Sequence, residues 1–112
     1  MNGAQAERYA EQYLQAQGLI PVAKNYRSRF GEIDLIMHDG SVLVLIEVRL
    51  RSSMDYGGAA WSIDRHKQRR LISTAQYYLA QLHRLPACRF DVVLLNDEPD
   101  HGVEWIKNAF DA

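Results

Sequence analysis

Asp34, Glu47, Arg49 and Arg51 stand in one strongly apolar stretch, Phe30 to Arg51, FGEIDLIMHDGSVLVLIEVRLR. Asp39-Gly40 inside it is a turn signal, because both central positions of a type I′ turn need positive φ. Two strands result. Ile33, Leu35 and Met37 alternate with Asp34, Ile36 and His38 in the first, and Val42, Val44, Ile46, Val48 and Leu50 with Leu43, Leu45, Glu47, Arg49 and Arg51 in the second. With Asp39 and Gly40 as the loop, His38 pairs with Ser41 and Asp34 lies opposite Leu45; any even-length loop centred there gives the same pairing. Side chains two apart share a face, so Asp34 points the same way as Glu47, Arg49 and Arg51. Asp34 and Glu47 become diagonal neighbours, roughly 7–8 Å apart at the backbone. Such charges are costly to bury unless they are paired or bound to a metal. The chemistry open to this face is therefore ion pairing or metal binding.

The rest of the chain must position that face. Residues 4–17 read as a helix: Ala6, Tyr9, Ala10, Tyr13 and Leu14 recur at helical spacing, and Gly18 is a natural stop. Glu7 flanks this apolar face; taken alone, it is a carboxylate favoured by the helix N-terminal dipole. Leu19 to Arg27 reads as a strand that Pro21 restricts to an edge or a strand start. Ser52 to Ala60 is an irregular loop marked by Gly57-Gly58, either a plain connection or a flap over the charged face. Residues 62–83 form a long helix with Ser62 as N-cap and Leu71, Ala75, Tyr78, Leu79 and Leu82 as its buried stripe. Arg65, His66, Arg69 and Arg70 lie off the stripe, where a basic run is usually a solvated face. Lys67 sits one turn before Leu71 and faces the sheet, where a lysine needs a carboxylate, a phosphate or a snorkelling path. Arg89 to Leu95 is an apolar strand, Asn96 to Gly102 an acidic turn, Val103 to Lys107 a last short strand and Asn108 to Ala112 a tail. The order is αβββαβ, with a small mixed sheet flanked by helices. The long helix returns the chain for a parallel strand by a right-handed crossover.

With 112 residues and a hydrophobic fraction of 47%, the chain fits one compact domain, residues 1–112. A net charge of −1 gives no global pull toward nucleic acid, so any such affinity must be local. Cys88 is the single cysteine, so no disulfide framework exists. The polar N-terminus and the lack of a membrane-length apolar run point to a soluble cytoplasmic protein.

An acidic residue in one strand followed by Glu-x-basic in the next resembles the PD-(D/E)xK nucleases. Mg²⁺ is a hard ion that takes oxygen ligands at about 2.0–2.1 Å, commonly one or two carboxylates plus substrate phosphate. Asp34 and Glu47 supply the carboxylates, the carbonyl of Val48 can add a backbone oxygen, and Glu7 can complete the shell. Phosphodiester hydrolysis at such a site draws on a polarised phosphoryl group, an acidified water and a nearby cation. The chain more specifically resembles the YraN-like family, bacterial proteins akin to Holliday-junction resolvases. The resemblance runs from Glu7 to about Leu79 and resumes at Phe90-Asp91-Val92-Val93 and Asn108-Ala109-Phe110. It is carried by Asn25-Tyr26-Arg27, Gly31-Glu32-Ile33-Asp34-Leu35-Ile36, Glu47-Val48-Arg49 and Lys67-Gln68-Arg69-Arg70-Leu71.

The resemblance implies a restriction-endonuclease-like fold and a Mg²⁺- or Mn²⁺-dependent nuclease acting on DNA, branched or single-stranded. Asp34, Glu47, Arg49 and Lys67 are then the catalytic candidates, and Glu7, Asp34, Glu47 and Val48 the metal ligands. Arg51, Arg65, Arg69 and Arg70 are the candidates for phosphate contact. A resolvase-like role favours a symmetric homodimer, and nothing calls for a membrane. One departure counts against catalysis: the family usually has lysine where this chain has Arg49. Arginine stays protonated and cannot act as a general base, although it can stabilise charge on a phosphate. Lys67 is a candidate substitute. Two alternatives stand beside the nuclease: a nucleic-acid-binding module of the same fold without the chemistry, and a scaffold in which Asp34, Glu47, Arg49 and Arg51 form a cross-strand ion network.

Overall fold

The computed structural model describes residues 1–51, 63–96 and 102–111. Its elements are α1 (Gly3–Ala16), β1 (Ile20–Ser28), β2 (Gly31–Asp39), β3 (Val42–Arg51), α2 (Arg65–Leu79), β4 (Cys88–Asn96) and β5 (Val103–Phe110). The five strands form one sheet in the order β1-β2-β3-β4-β5. Among the described strands only the β3–β4 pair is parallel, and α2 lies between those two strands in the chain. A parallel pair needs such a crossover, whereas the antiparallel pairs need only turns. The α/β class and the mixed sheet flanked by helices are as the sequence predicts.

Both helices have local reasons to start and stop. Asn2 and Gln5 form a capping box at the start of α1. At its end Gly18 has φ 101°, Gly18 N donates to Gln15 O and Leu19 N to Leu14 O, both at 3.0 Å. That is a Schellman motif, which favours glycine because a side chain strains the left-handed conformation. Asp64 caps α2 by accepting from Lys67 N at 2.8 Å, so the helix begins later than the sequence suggests. The expected cap, Ser62, and the loop from Ser52 to Ala60 lie outside the described residues.

Each helix covers one face. Ala6, Ala10 and Leu14 of α1 pack with Leu35, Met37, Val44, Ile46, Val93 and Leu95. Leu71 and Ala75 of α2 pack with Ile33, Ile36, Leu43, Leu45, Val92 and Leu94. Each fully buried aliphatic side chain contributes about 1.5–3 kcal/mol of transfer free energy. The core therefore fixes which way every β3 residue points.

Three expectations need correction. The β2–β3 ladder runs from Asp39↔Val42 to Leu35↔Ile46, so Ile36 rather than Asp34 is opposite Leu45. The loop is Gly40-Ser41, with positive φ at Gly40 (60°) and not at Ser41, the pattern of a type II′ turn. Asp39 is drawn into the ladder, where Arg89 Nη2 donates to its Oδ2 at 2.8 Å. A two-residue register change preserves faces, and one step beyond the last pair, Leu35↔Ile46, it points Asp34 toward Glu47 rather than diagonal to it. Second, the alternation in β2 slips at Asp34, because Ile33 and Ile36 both join the α2 side while Leu35 and Met37 join the α1 side. β1 slips with it: Ala23 and Tyr26 both pack toward α2, and Asn25 between them has φ 51°. Asparagine is among the few residues that tolerate this conformation. Third, Asn108 to Phe110 extend β5 rather than forming a tail. Asn108, at φ 54°, lies in the bulge that keeps Phe90 paired with Phe110.

Candidate metal and phosphate site

The slip at Asp34 creates the site. β2 stops pairing regularly with β3 after Leu35↔Ile46, which leaves the Val48 N–H without a strand acceptor in that ladder. The Asp34 side chain takes the role, with Oδ2 accepting from Val48 N at 2.8 Å. The carboxylate is thereby fixed at the point where the two strands part. Glu7, from the second turn of α1, and Glu32, two residues earlier in β2, join it. One carboxylate oxygen from each of Glu7, Glu32 and Asp34 lies within 4.8 Å of the others.

Glu47 stands beside this trio. It follows Leu43 and Leu45 on the α2 side of β3 and is itself only 7% exposed. Its Oε1 lies 2.7 Å from Lys67 Nζ, so the inward lysine of α2 meets a carboxylate, as its position on the helix predicts. Glu32 has a cation of its own, Arg27 Nε at 3.1 Å. Asp34 has acidic neighbours instead. Its carboxyl is pushed up from 3.8 to about 7, first by burial and then by the charge of Glu47. The Val48 N–H works against that rise, while Glu7 and Glu32 add to it. Near neutral pH this carboxyl is on the edge of ionisation, where a cation can displace its proton.

The predicted residues thus fall into groups. Asp34, Glu47, Glu7 and Lys67 converge. Val48 touches the site through its N–H, bonded to Asp34, which is not the carbonyl expected as a metal ligand. Arg49 is half-buried one step beyond on the same strand face as Glu47, level with Leu94 of β4. Arg51 is committed elsewhere: Nε donates to Asn96 at 3.1 Å and Nη1 to Glu104 at 3.2 Å, tying together the ends of β3, β4 and β5. Arg65, Arg69 and Arg70 are exposed on the opening turns of α2.

Glu32 is a member that sequence reasoning missed, although its spacing of two from Asp34 was a usable signal. A second charged centre was also missed. Asp91, 1% exposed on the α1 side of β4, accepts from Arg89 Nε at 3.0 and 3.2 Å, Trp105 Nε1 at 2.9 Å and Asn108 N at 2.9 Å. Arg89 also donates to Asp39. Burial works against the Arg89 charge, but its hydrogen bonds to Asp91 and Asp39 outweigh that and raise its pKa.

Residues 6–95 match the model of the family described as "Uncharacterised protein family UPF0102". A UPF0102 protein of Nitrosospira multiformis is 51% identical over 111 residues, covering 99% of this chain and 93% of that one. One from Cupriavidus taiwanensis is 56% identical over 112 residues, covering 98% and 82%. A third, from Methylobacillus flagellatus, is 51% identical over 110 residues, covering 98% and 96%.

Proposed function

Because the chain belongs to the uncharacterised protein family UPF0102, whose name carries no activity, we propose from the site alone that it is a metal-dependent nuclease of the PD-(D/E)xK type acting on DNA. The observation that carries this reading is the gathering of Glu7, Glu32, Asp34 and Glu47 around one break in the sheet, with the Asp34 carboxyl held near pKa 7. Repulsion among carboxylates costs stability, and perturbed titration concentrates at functional sites.

The donors suit a hard divalent ion. All are carboxylate oxygens; the trio's oxygens lie within 4.8 Å of one another, against about 3.0 Å for neighbouring and about 4.2 Å for opposite ligands of octahedral Mg²⁺, so the carboxylates would draw in around an ion. Asp34, Glu7 and Glu32 would hold Mg²⁺ or Mn²⁺, with Glu47 as a further ligand. Bound there, the ion would supply Lewis-acid polarisation of a phosphoryl oxygen and an acidified water. The protein's own part is positioning and charge. Asp34 is aimed by the Val48 N–H, Glu47 is oriented by Lys67, and Lys67 and Arg49 offset charge on the phosphate. Arg65, Arg69 and Arg70 supply phosphate contacts along α2.

The test is divalent-dependent cleavage of branched and single-stranded DNA by the wild type and Glu47→Ala. Cleavage that needs Mg²⁺ or Mn²⁺ and disappears in Glu47→Ala is expected. Arg49 in the lysine position favours a second reading, a nucleic-acid-binding module of the same fold. Binding of these DNA forms without cleavage of any of them would replace the first reading with the second.

A further inference from the structure

The β1–β2 turn carries an aromatic ring and a guanidinium that the acidic site does not use. Phe30 is 37% exposed at the tip of the turn, and the Arg29 guanidinium carbon lies 4.9 Å from the centroid of its ring. A large apolar side chain left at the surface is uninformative by itself. This one is held in place from several directions. Phe30 N donates to Ser28 Oγ at 3.0 Å, Ser28 Oγ pairs with the fully buried Thr74 Oγ1 at 3.0 Å, and Arg70 Nε donates to Phe30 O at 3.3 Å. Gly31 packs on α2, where a Cβ would be in ordinary van der Waals contact with Thr74 Oγ1 at 3.5 Å. The turn is therefore anchored on α2 while its ring and guanidinium stay at the surface.

Charge selects the partner. Arg27, Arg29 and Arg70 are exposed around this turn, and the nearby acid Glu32 is already paired with Arg27. A protein of net charge −1 thus concentrates positive charge beside an exposed ring. Rings and guanidinium planes stack on bases of any sequence, and surrounding arginines hold the phosphates. Base pairs inside an intact duplex do not offer free faces. We propose that the Arg29–Phe30 pair is a stacking platform for an unpaired base of a single-stranded or branched nucleic acid. The proposal rests on the nuclease reading for its substrate class. Phe30 lies four residue steps before Asp34, about 13 Å of extended chain, so one nucleic-acid strand reaches both.

The test reads binding without chemistry. In EDTA, the full chain is titrated with a short single-stranded oligonucleotide carrying one fluorescent purine analogue, and with the same sequence as a blunt duplex. The wild type should bind the single strand more tightly and quench the analogue. Phe30→Ala should weaken single-strand binding about 10-fold and lose the quenching, while Phe30→Trp retains both. Arg29→Gln should weaken binding without unfolding, checked by a thermal melt. Equal affinity for both DNA forms, or binding and quenching unchanged in Phe30→Ala, would overturn the platform. So would a wild type that does not bind the single strand. None of these outcomes touches the metal-dependent cleavage assay, which judges the nuclease reading separately.

Discussion

Asp34 and Asp91 are two carboxylates used by the backbone in the same way and treated by their surroundings in opposite ways. Each sits where a strand ladder becomes irregular, and each accepts a backbone N–H released there, Val48 for Asp34 and Asn108 for Asp91. Asp91 is then neutralised by Arg89 and further bonded by Trp105. Asp34 is instead surrounded by Glu7, Glu32 and Glu47. A carboxylate needed only to mend a ladder would be given a cation, as Asp91 is. Crowding one with acids costs stability, and such cost is tolerated where a ligand repays it. The contrast separates a structural carboxylate from a candidate site.

The contrast predicts opposite mutational signs. Asp91→Ala leaves the Arg89 guanidinium, the Trp105 N–H and the Asn108 N–H short of a partner inside the protein. Breaking a buried pair by removing one member costs about 3–5 kcal/mol, which urea unfolding at neutral pH would measure. A loss under about 1 kcal/mol, the ordinary level for a point substitution, would mean that Asp91 is not the balanced member of the comparison.

Asp34→Asn should stabilise the protein above neutral pH, since asparagine keeps an oxygen for the Val48 N–H and removes the charge. The sign follows from linkage. An unfolded carboxyl titrates near 3.8 and the folded one near 7, so between those values the folded chain keeps a proton that the unfolded chain has released. Stability from this group is full below pH 3.8 and is lost as pH rises through about 7. The asparagine variant should therefore gain on the wild type between pH 4 and pH 8, by on the order of 2–4 kcal/mol. Paired unfolding curves at the two pH values cancel the carboxylates that do not interact with Asp34, so the difference reads Asp34 together with its neighbours Glu47, Glu7 and Glu32. A difference that does not change with pH would show that Asp34 ionises freely.

Much of the arrangement was legible in the sequence because it depends on face and parity. Glu47 lies in a strand whose alternation is enforced by two cores, so its side was fixed by Leu43 and Leu45. Lys67 could be aimed at the sheet from its spacing to Leu71, and it meets Glu47. The turn was located one residue early because Asp39-Gly40 is a strong local signal, while the ladder responds to Arg89, fifty residues away in sequence. Glu32 is legible from its spacing of two to Asp34, whereas the slip at Asp34 is coupled to Asn25 on the neighbouring strand, and no single-strand pattern reveals that. In the sequence Asp91 is a lone acid within the apolar strand Arg89 to Leu95. Its partners come from β5 and from Arg89, and only tertiary packing brings Trp105 and Asn108 to it.

Metal should sharpen the comparison by acting on one carboxylate and not on the other. At pH 8, Mn²⁺ at 100 times its dissociation constant should stabilise the wild type by about 2.7 kcal/mol. Asp34→Asn should lose most of that gain, and Arg89→Lys, which alters the bonds to Asp91 and Asp39 and none to the acidic group, should keep it. Thermal melts with and without Mn²⁺ measure all three. A gain of equal size in Asp34→Asn would place the ion elsewhere.

The smallest effect is expected at Arg49, and it tests which cation serves the acidic group. Lys67 already meets Glu47 at 2.7 Å. Arg49 brings a second, bulkier cation to the same strand face. A guanidinium is a planar fork that prefers two oxygens at once, whereas an ammonium is a compact charge on a flexible stem. Arg49→Lys should therefore leave folding within about 0.5 kcal/mol of the wild type, tighten Mn²⁺ binding a few-fold and raise the cleavage rate. Lys67→Ala acts in the other direction. It leaves Glu47 buried beside Asp34 without its cation, so the metal-free protein should lose stability and depend more on added Mn²⁺. Combining the two separates the roles. If Lys67 supplies the working cation, the double variant should cleave more slowly than Arg49→Lys alone. If Arg49→Lys is no faster than the wild type and Lys67→Ala changes neither stability nor cleavage, the division of labour between the two cations is wrong.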